Sequence, residues 1–236
     1  MQGKLYLIPT TLGEGPTGRV IPPAIPEIVA HLEYFIVENI RTARRYIRKL
    51  DSTKSIDDIT FYTLNKHTPP GEVAGFIKPL QDGHDMGLIS EAGVPGIADP
   101  GEEAVSVAQQ KGIRVIPMVG PSSIILALMG SGLNAENFAF NGYLPIKSGE
   151  RTRKLKALEK KSRHEQQTQI FMETPYRNNK LVKDMLAGCM DETLLCIASE
   201  ITTDQEMIRT KTIREWKKEI PDLHKKPTIF ILSASD

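Results

Sequence analysis

The chain has 236 residues, 40% hydrophobic and 25% charged, and its 30 Lys+Arg against 29 Asp+Glu leave a formal net charge of +1. That length allows one large domain or two modest ones with adequate cores. The charge balance excludes a surface that is basic throughout, so any nucleic-acid site must be a local patch.

The N-terminus enters a strand-like Lys4–Ile8 directly, with no signal-peptide pattern, and Leu5–Ile8 reads as the first strand. A Gly/Pro/Thr-rich stretch follows from Pro9 to Pro23. Pro26–Leu32 reads as a helix, Tyr34–Val37 as a second strand and Thr42–Leu50 as a basic amphipathic helix. Thr60–Leu64 is a third strand, and Glu72–Leu80 a helix with Pro79 near its end. Gly87–Ser90 looks like the end of a buried fourth strand. It opens into Glu91-Ala92-Gly93-Val94-Pro95-Gly96-Ile97-Ala98-Asp99-Pro100-Gly101, a stiff loop of small residues. Asp99 suits an N-cap, Pro100 the first helical position and Glu102 a capping box, with the helix running to Lys111 and stopping at Gly112. In open α/β sheets ligands sit beyond the carboxyl ends of strands, where such loops lie, and small residues let a ligand approach the backbone. An ordinary tight connection is the plainer reading of the same residues.

Arg114–Met118 is a fifth strand. Ser122–Met129 is an apolar helix after Gly120-Pro121, and Phe138–Phe140 a strand ending in Gly142-Tyr143-Leu144-Pro145. A charged helix fills Gly149–Arg163, Ile170–Met172 is a strand and Tyr176–Leu186 a helix. Leu194–Ala198 and Ile229–Leu232 are strands, and Met207–Thr212 pairs with one of them before a helix around Trp216. Alternation of this kind means βα units. The expected fold class is α/β, two domains with mostly parallel sheets, residues 1–117 and 118–236.

Cys189 and Cys196 sit in or beside apolar runs and read as buried free thiols. The five histidines are scattered without metal-ligand spacing, so no metal is expected; His67, after the third strand, is a substrate contact or a surface residue. No apolar run approaches the length of a membrane span, and a cytoplasmic protein is expected. Arg41, Arg44, Arg45, Arg48 and Lys49 form one candidate phosphate-binding stretch. Lys147, Arg151, Arg153, Lys154, Lys156, Lys160, Lys161 and Arg163 form another, which the interspersed Glu150, Glu159 and Glu165 mark as a solvated charged helix.

Five segments occur in order: Pro9-Thr10-Thr11-Leu12-Gly13, Ser90–Gly101, Gly120-Pro121-Ser122-Ser123, Phe140-Asn141-Gly142-Tyr143-Leu144-Pro145 and Phe171-Met172-Glu173-Thr174-Pro175-Tyr176-Arg177. Together they resemble the tetrapyrrole-methylase (class III) superfamily of S-adenosylmethionine-dependent methyltransferases. The similarity is greatest to the branch that methylates a cytidine ribose 2′-oxygen in small-subunit (16S) ribosomal RNA. The resemblance implies a cofactor cleft between the two α/β domains and a homodimer. It implies S-adenosyl-L-methionine contacts from Pro9, Ala92, Gly93, Val94, Pro95, Ala98, Ser122, Ser123, Tyr143, Leu144 and Pro175. The charged positions depart from the family pattern. Its Glu-Asp-Thr-Arg is Glu38-Asn39-Ile40-Arg41, its Ser-Asp-Ala-Gly carries Glu91, an Arg in its Ala-Arg-Glu-Leu-Thr is Ser199, and its first loop is altered after Thr10.

Methyl transfer from a sulfonium is an in-line displacement that needs positioning and no metal, and a base near a ribose hydroxyl helps. Glu91, Glu38 and Glu173 are the candidate catalytic carboxylates, with a loop acid, a surface ion pair and a helix-capping acid as the respective alternatives. Arg41, Arg44 and Arg177 are the candidate RNA contacts. The expected function is RNA methylation at a ribose 2′-hydroxyl. Methylation of a tetrapyrrole or other small molecule, and a non-catalytic RNA-binding or assembly factor, are the alternatives.

Overall fold

The computed structural model describes residues 2–69 and 71–235. The chain folds as two compact units, Met1–Ser122 and Ser123–Asp236.

The first unit is built on five strands: β1 (Lys4–Ile8), β2 (Tyr34–Val37), β3 (Thr60–Thr63), β4 (Met86–Ile89) and β5 (Arg114–Pro117). All are parallel, in the order β3-β2-β4-β1-β5. Every residue of β4 is buried, as a central strand covered on both faces requires. Successive side chains of β2 serve opposite faces. Phe35 and Val37 join Ile8, Ile89, Ile25, Val29, Ala43 and Ile47 on one side. Ile36 joins Leu5, Leu88, Val73, Ile77, Leu80 and Ala104 on the other. The helices α1 (Ala24–His31) and α2 (Ile40–Leu50) cover the first face. The other is covered by α3 (Val73–Phe76), α4 (Lys78–Gln81) and α5 (Glu102–Gln110). The register pairs Ile8 and Val37 with Ile89, so Pro9, Glu38 and Ser90 leave the sheet side by side at its carboxyl edge.

Two expectations fail here. The single helix over Glu72–Leu80 is two turns, α3 and α4, because Pro79 cannot donate to a continuing helix and sits at the start of the second. Asp99 does not cap α5. The N-cap is Gly101, at φ +134°, with no side-chain cap, and Asp99 stays in the loop. The far end behaves as expected: Gly112 at φ +67° closes α5, with Gly112 N–H donating to Gln109 O and Ile113 N–H to Ala108 O.

The second unit runs α6 (Ser123–Ser131), β6 (Phe138–Tyr143), α7 (Ser148–Glu165), β7 (Thr168–Met172), α8 (Asn178–Gly188), β8 (Leu194–Ser199), β9 (Met207–Thr212), α9 (Ile213–Trp216) and β10 (Thr228–Ser233). Its sheet order is β6-β7-β10-β8-β9. The expectation of a mostly parallel sheet is corrected: only β6 and β7 pair parallel, and the other three pairings are antiparallel. β6, β7 and β8 still share one direction, because α7 and α8 cross back between them. β9 returns from β8 through a short turn, and β10 inserts antiparallel between β7 and β8. The core gathers Leu155, Phe171, Leu181, Met185, Leu195, Ile197, Phe230 and Trp216, whose indole N–H donates to Leu195 O at 2.8 Å.

Candidate active site

The carboxyl edge of the first sheet concentrates polar groups. Asn39 caps α2, its Oδ1 accepting from the N–H groups of Arg41 (2.9 Å) and Thr42 (3.4 Å). The amide therefore does the capping that an aspartate would do there. One position on, the Thr42 hydroxyl lies 2.5 Å from Glu91 Oε1 and 3.0 Å from Asn39 O. Its single proton serves one acceptor at a time, and the carboxylate is the stronger. Asp99 joins the same group. Burial, then the charges of Glu38 and Glu91, push its carboxyl up to about 6. Glu38 is raised by burial and by Glu91, with Lys66 opposing. Neighbouring carboxylates of this kind cannot all ionise freely.

Beside them the loop Ser90–Gly101 is held by backbone bonds. Gly93, at φ +74°, accepts from Thr10 N–H at 2.8 Å and from the buried Ser90 hydroxyl at 3.4 Å. A Cβ on Gly93 would lie 3.0 Å from Leu12 Cδ2 and 3.1 Å from Pro121 O, so the loops after β1, β4 and β5 converge on it. At Gly120 a Cβ would overlap the Pro9 ring at 2.2 Å. Pro9 O accepts from the Tyr46 hydroxyl at 2.6 Å, and burial raises that phenol's pKa. Lys49 Nζ donates to Gly15 O at 2.6 Å, tying the altered first loop to α2. Ala98 is held at φ +61°, a conformation that costs a non-glycine residue about 1 kcal/mol or more. Pro9, Gly93 and Pro95 are buried, Val94 half-buried, and Glu91, Ala92 and Ala98 exposed. The buried Thr10 Oγ1 has no hydrogen-bond partner among the described residues.

Ser122 ends the first unit and Ser123 opens α6 of the second; both are half-buried. In the second unit Glu173 is buried. It accepts from Arg177 Nη2 at 2.6 Å and from Thr174 N–H at 2.7 Å. Burial pushes its carboxyl up, but the Arg177 and Thr174 bonds outweigh this and hold it below the ordinary value. Its Oε2 and Arg177 Nε are buried without partners among the described residues. Pro175 O accepts from Lys225 N–H at 3.1 Å. Tyr143 is exposed, whereas Leu144 packs into the core, so any ligand contact from Leu144 is made by its backbone. Ser199, where the family carries Arg, is buried beside the Thr228 hydroxyl at 3.2 Å.

The two basic stretches differ. Arg41, Arg44, Arg45, Arg48 and Lys49 are all exposed on α2 opposite its buried face of Ala43, Tyr46 and Ile47. None pairs with a carboxylate among the described residues; Arg44 lies over the Phe61 ring at 5.6 Å. On α7, by contrast, Arg151 is 1% exposed. It holds Asp184 through Nε (2.6 Å) and Nη2, with Nη1 on the carbonyls of Pro145 and Ile146. Lys147 pairs with Glu150 and Lys161 with Glu165. His67 is exposed, its N–H bonded to Asn65 Oδ1 in a turn. Among the described residues no cluster of His, Cys, Asp or Glu is arranged to hold a metal, and no helix is long and apolar enough to cross a membrane.

The sequence reading missed Asp99, Thr42 and Thr10. Asp99 was hidden by its resemblance to an N-cap; its place in a loop of small residues that leaves a central strand was the available sign. Thr42 and Thr10 carry no local sign, since their partners are 49 and 83 residues away.

The motif resemblance is borne out. The model of the tetrapyrrole (corrin/porphyrin) methylases matches residues 41–217. Ribosomal RNA small subunit methyltransferase I of Vibrio cholerae is 32% identical over 212 residues, covering 89% of this chain and 69% of that protein. The Haemophilus influenzae protein of the same name is 31% identical over 239 residues, 99% and 80% of the two chains. Among solved structures, the methyltransferase CobJ superposes with a TM-score of 0.63 at 12% identity, covering 98% and 94%. Uroporphyrin-III-C-methyltransferase from Thermus thermophilus superposes at 0.55 and 17% identity, covering 99% and 93%. At such identities the two structures speak for the fold alone, and they share its two-unit α/β architecture. By the extent of the family match and the identity to its relatives, the chain belongs to the tetrapyrrole (corrin/porphyrin) methylase family of methyltransferases.

Proposed function

We propose that this chain transfers the methyl group of S-adenosyl-L-methionine to a ribose 2′-hydroxyl of small-subunit ribosomal RNA. One observation carries the reading. The carboxyl edge of the parallel sheet joins a close-packed glycine loop, a carboxylate cluster and a helix whose exposed cations lack acidic partners among the described residues. The names of the curated relatives, each a small-subunit ribosomal RNA methyltransferase, support the choice of substrate.

The residues present fit the cofactor. The Thr10 hydroxyl, buried and unpartnered beside the Gly93 loop, suits a ligand with polar groups pressed against backbone. Pro9, Ala92, Gly93, Val94, Pro95 and Ala98 would hold it on the first unit. Ser122, Ser123, Tyr143, Leu144 and Pro175 are assigned to it from the resemblance. When bound, it supplies an electrophilic methyl on a sulfonium, so the chain's own task is alignment and proton removal. Asp99 takes the proton of the ribose hydroxyl: its raised pKa strengthens it as a base while leaving it mostly ionised above neutrality. Glu91, oriented by Thr42, positions that hydroxyl, and Glu38 helps keep Asp99 basic. Arg41 and Arg44 meet phosphates from α2. Arg177, anchored by Glu173, does the same from the second unit, while Glu173 itself stays ionised and takes no proton. A homodimer is carried over from the resemblance, and a ribosomal substrate places the protein in the cytoplasm.

Calorimetric titration of cofactor-free protein with S-adenosylhomocysteine tests the cofactor half. Binding by the parent and its loss in Gly93→Trp support the reading. No binding by the parent contradicts it.

A further inference from the structure

We infer that Tyr176 and His224 form a platform on which an unpaired base of the RNA stacks, with Lys225 meeting the adjoining phosphate. The inference rests on the RNA-substrate reading above.

Tyr176 lies between Pro175 and Arg177 and is 70% exposed. Its ring meets that of the exposed His224 edge-on, with centroids 5.9 Å apart and planes at 74°. A large ring held in water at this exposure loses burial energy unless something covers it.

The frame beneath is held by hydrogen bonds. Asn178, wholly buried, donates to the carbonyls of Lys226 (2.7 Å) and Leu223 (3.5 Å). Asn179 donates to Asp222 Oδ1 at 2.7 Å and accepts from Leu223 N–H at 2.8 Å. Asp222 also accepts from His224 N–H at 3.1 Å, and Lys225, at φ +62°, donates its N–H to Pro175 O at 3.1 Å. The two segments carrying the rings are thus fixed to each other before any ligand arrives, and little ordering cost remains for binding.

The surrounding charge selects the occupant. Arg177 follows Tyr176 in the chain, and Lys225 and Lys226 follow His224. Arg177 and Glu173 pair, Glu200 offsets Lys226 at 3.8 Å, and the Asp222 carboxylate is bonded to Asn179 and the His224 N–H. Lys225 is exposed and has no acidic partner among the described residues. One aromatic face beside the unpaired Lys225 matches a nucleobase on its phosphate chain, since every base offers a π-face and every linkage an anion.

The test measures binding of unmethylated small-subunit rRNA by filter retention, with S-adenosylhomocysteine affinity and oligomeric state followed in parallel. Tyr176→Ala and Tyr176→Leu should weaken RNA binding roughly five- to hundredfold, the range for losing one stacked base. Tyr176→Phe should stay within about twofold of the parent, because stacking needs the ring and not the hydroxyl. Lys225→Ala should lower the salt dependence of log K by about 0.7–0.9, one phosphate contact, while Tyr176→Leu leaves that slope unchanged. Parent-like RNA binding by Tyr176→Ala would overturn the inference alone. A change of oligomeric state with RNA affinity intact would overturn it in favour of a contact between copies of the chain. Failure of the parent to bind the RNA would overturn both the inference and the reading beneath it.

Discussion

The hydroxyl of Thr42, in the first turn of α2, reaches Glu91 at 2.5 Å and so joins a basic helix to the loop that leaves the central strand. A parallel sheet makes this possible: strands distant in sequence end at one level, and the register of Val37 with Ile89 sets Glu38 and Ser90 side by side. The bond orients a carboxylate without neutralising it. Thr42→Val should leave the thermal midpoint within a few degrees of the parent, because the pair is exposed. It should lower kcat about tenfold with little change in S-adenosylhomocysteine affinity. An unchanged kcat would remove Glu91 from the positioning role.

Gly93 is constrained twice, by φ +74° and by Leu12 and Pro121 within 3.0–3.1 Å of a notional Cβ. Gly93→Ala should cost about 1–2 kcal/mol of stability from the backbone conformation and displaced neighbours. It should weaken S-adenosylhomocysteine tenfold or more, as calorimetry would show. A stability loss with full cofactor affinity would place the ligand elsewhere.

Asp99 yields a prediction of opposite sign for stability and activity. Its folded pKa, about 6, lies above the ordinary 3.8, so its contribution to stability is complete below pH ~4 and is lost as pH rises through 6. Asp99→Asn should therefore be more stable than the parent at pH 7, by on the order of 1–2 kcal/mol after solvent screening, with the gap closing toward pH 4. The same substitution should lower kcat at least a hundredfold and abolish the acid limb near pH 6 in the parent's rate profile. Thermal melts from pH 4 to 8 and single-turnover rates over that range check both halves.

How much of this was legible in the sequence depended on where each residue's partners lie. The βα alternation of the first unit was readable because each strand is a short apolar run closed by turn residues, and the loops at the carboxyl edge followed from it. The last two strands of the second unit were placed but not oriented, because no crossover helix fixes their direction. The buried stripe of α7 escaped for another reason. Arg151, Leu155, Leu158, Glu159 and Ser162 follow helical spacing, but two of them are charged. Their partners, Asp184 for Arg151 and Met190 N–H and Thr193 for Glu159, come from 31 or more residues away. A local hydrophobic pattern cannot show a charge that is buried with a distant mate. Asp99 was misassigned because the capping pattern is satisfied in sequence, whereas Gly101 at φ +134° starts the helix later.

Arg151 separates a structural cation from RNA-binding ones. Arg151→Met leaves Asp184 with only the Ser148 hydroxyl and two carbonyls without the guanidinium, and should destabilise the second unit by about 3–5 kcal/mol. At a temperature where the variant is folded, its RNA affinity should equal that of the parent, which denaturant melts and filter binding would establish together.

The exposed cations of α2 should behave in the reverse way. Alanine at Arg41, Arg45 or Arg48 should change stability by less than ~0.5 kcal/mol. Each should reduce the slope of log K against log salt by about 0.7–0.9 if it meets a phosphate. An unchanged slope in all three would move the RNA to another face.

The central claim is the identity of the acceptor atom. The protein would be incubated with S-adenosylmethionine carrying a labelled methyl group and unmethylated small ribosomal subunits, and the RNA digested to nucleosides. Label in a 2′-O-methylnucleoside, formed at least a hundredfold more slowly with Asp99→Asn and absent with Gly93→Trp, is the result the account predicts. Label on a base, or S-adenosylhomocysteine binding without any transfer to RNA, would contradict it.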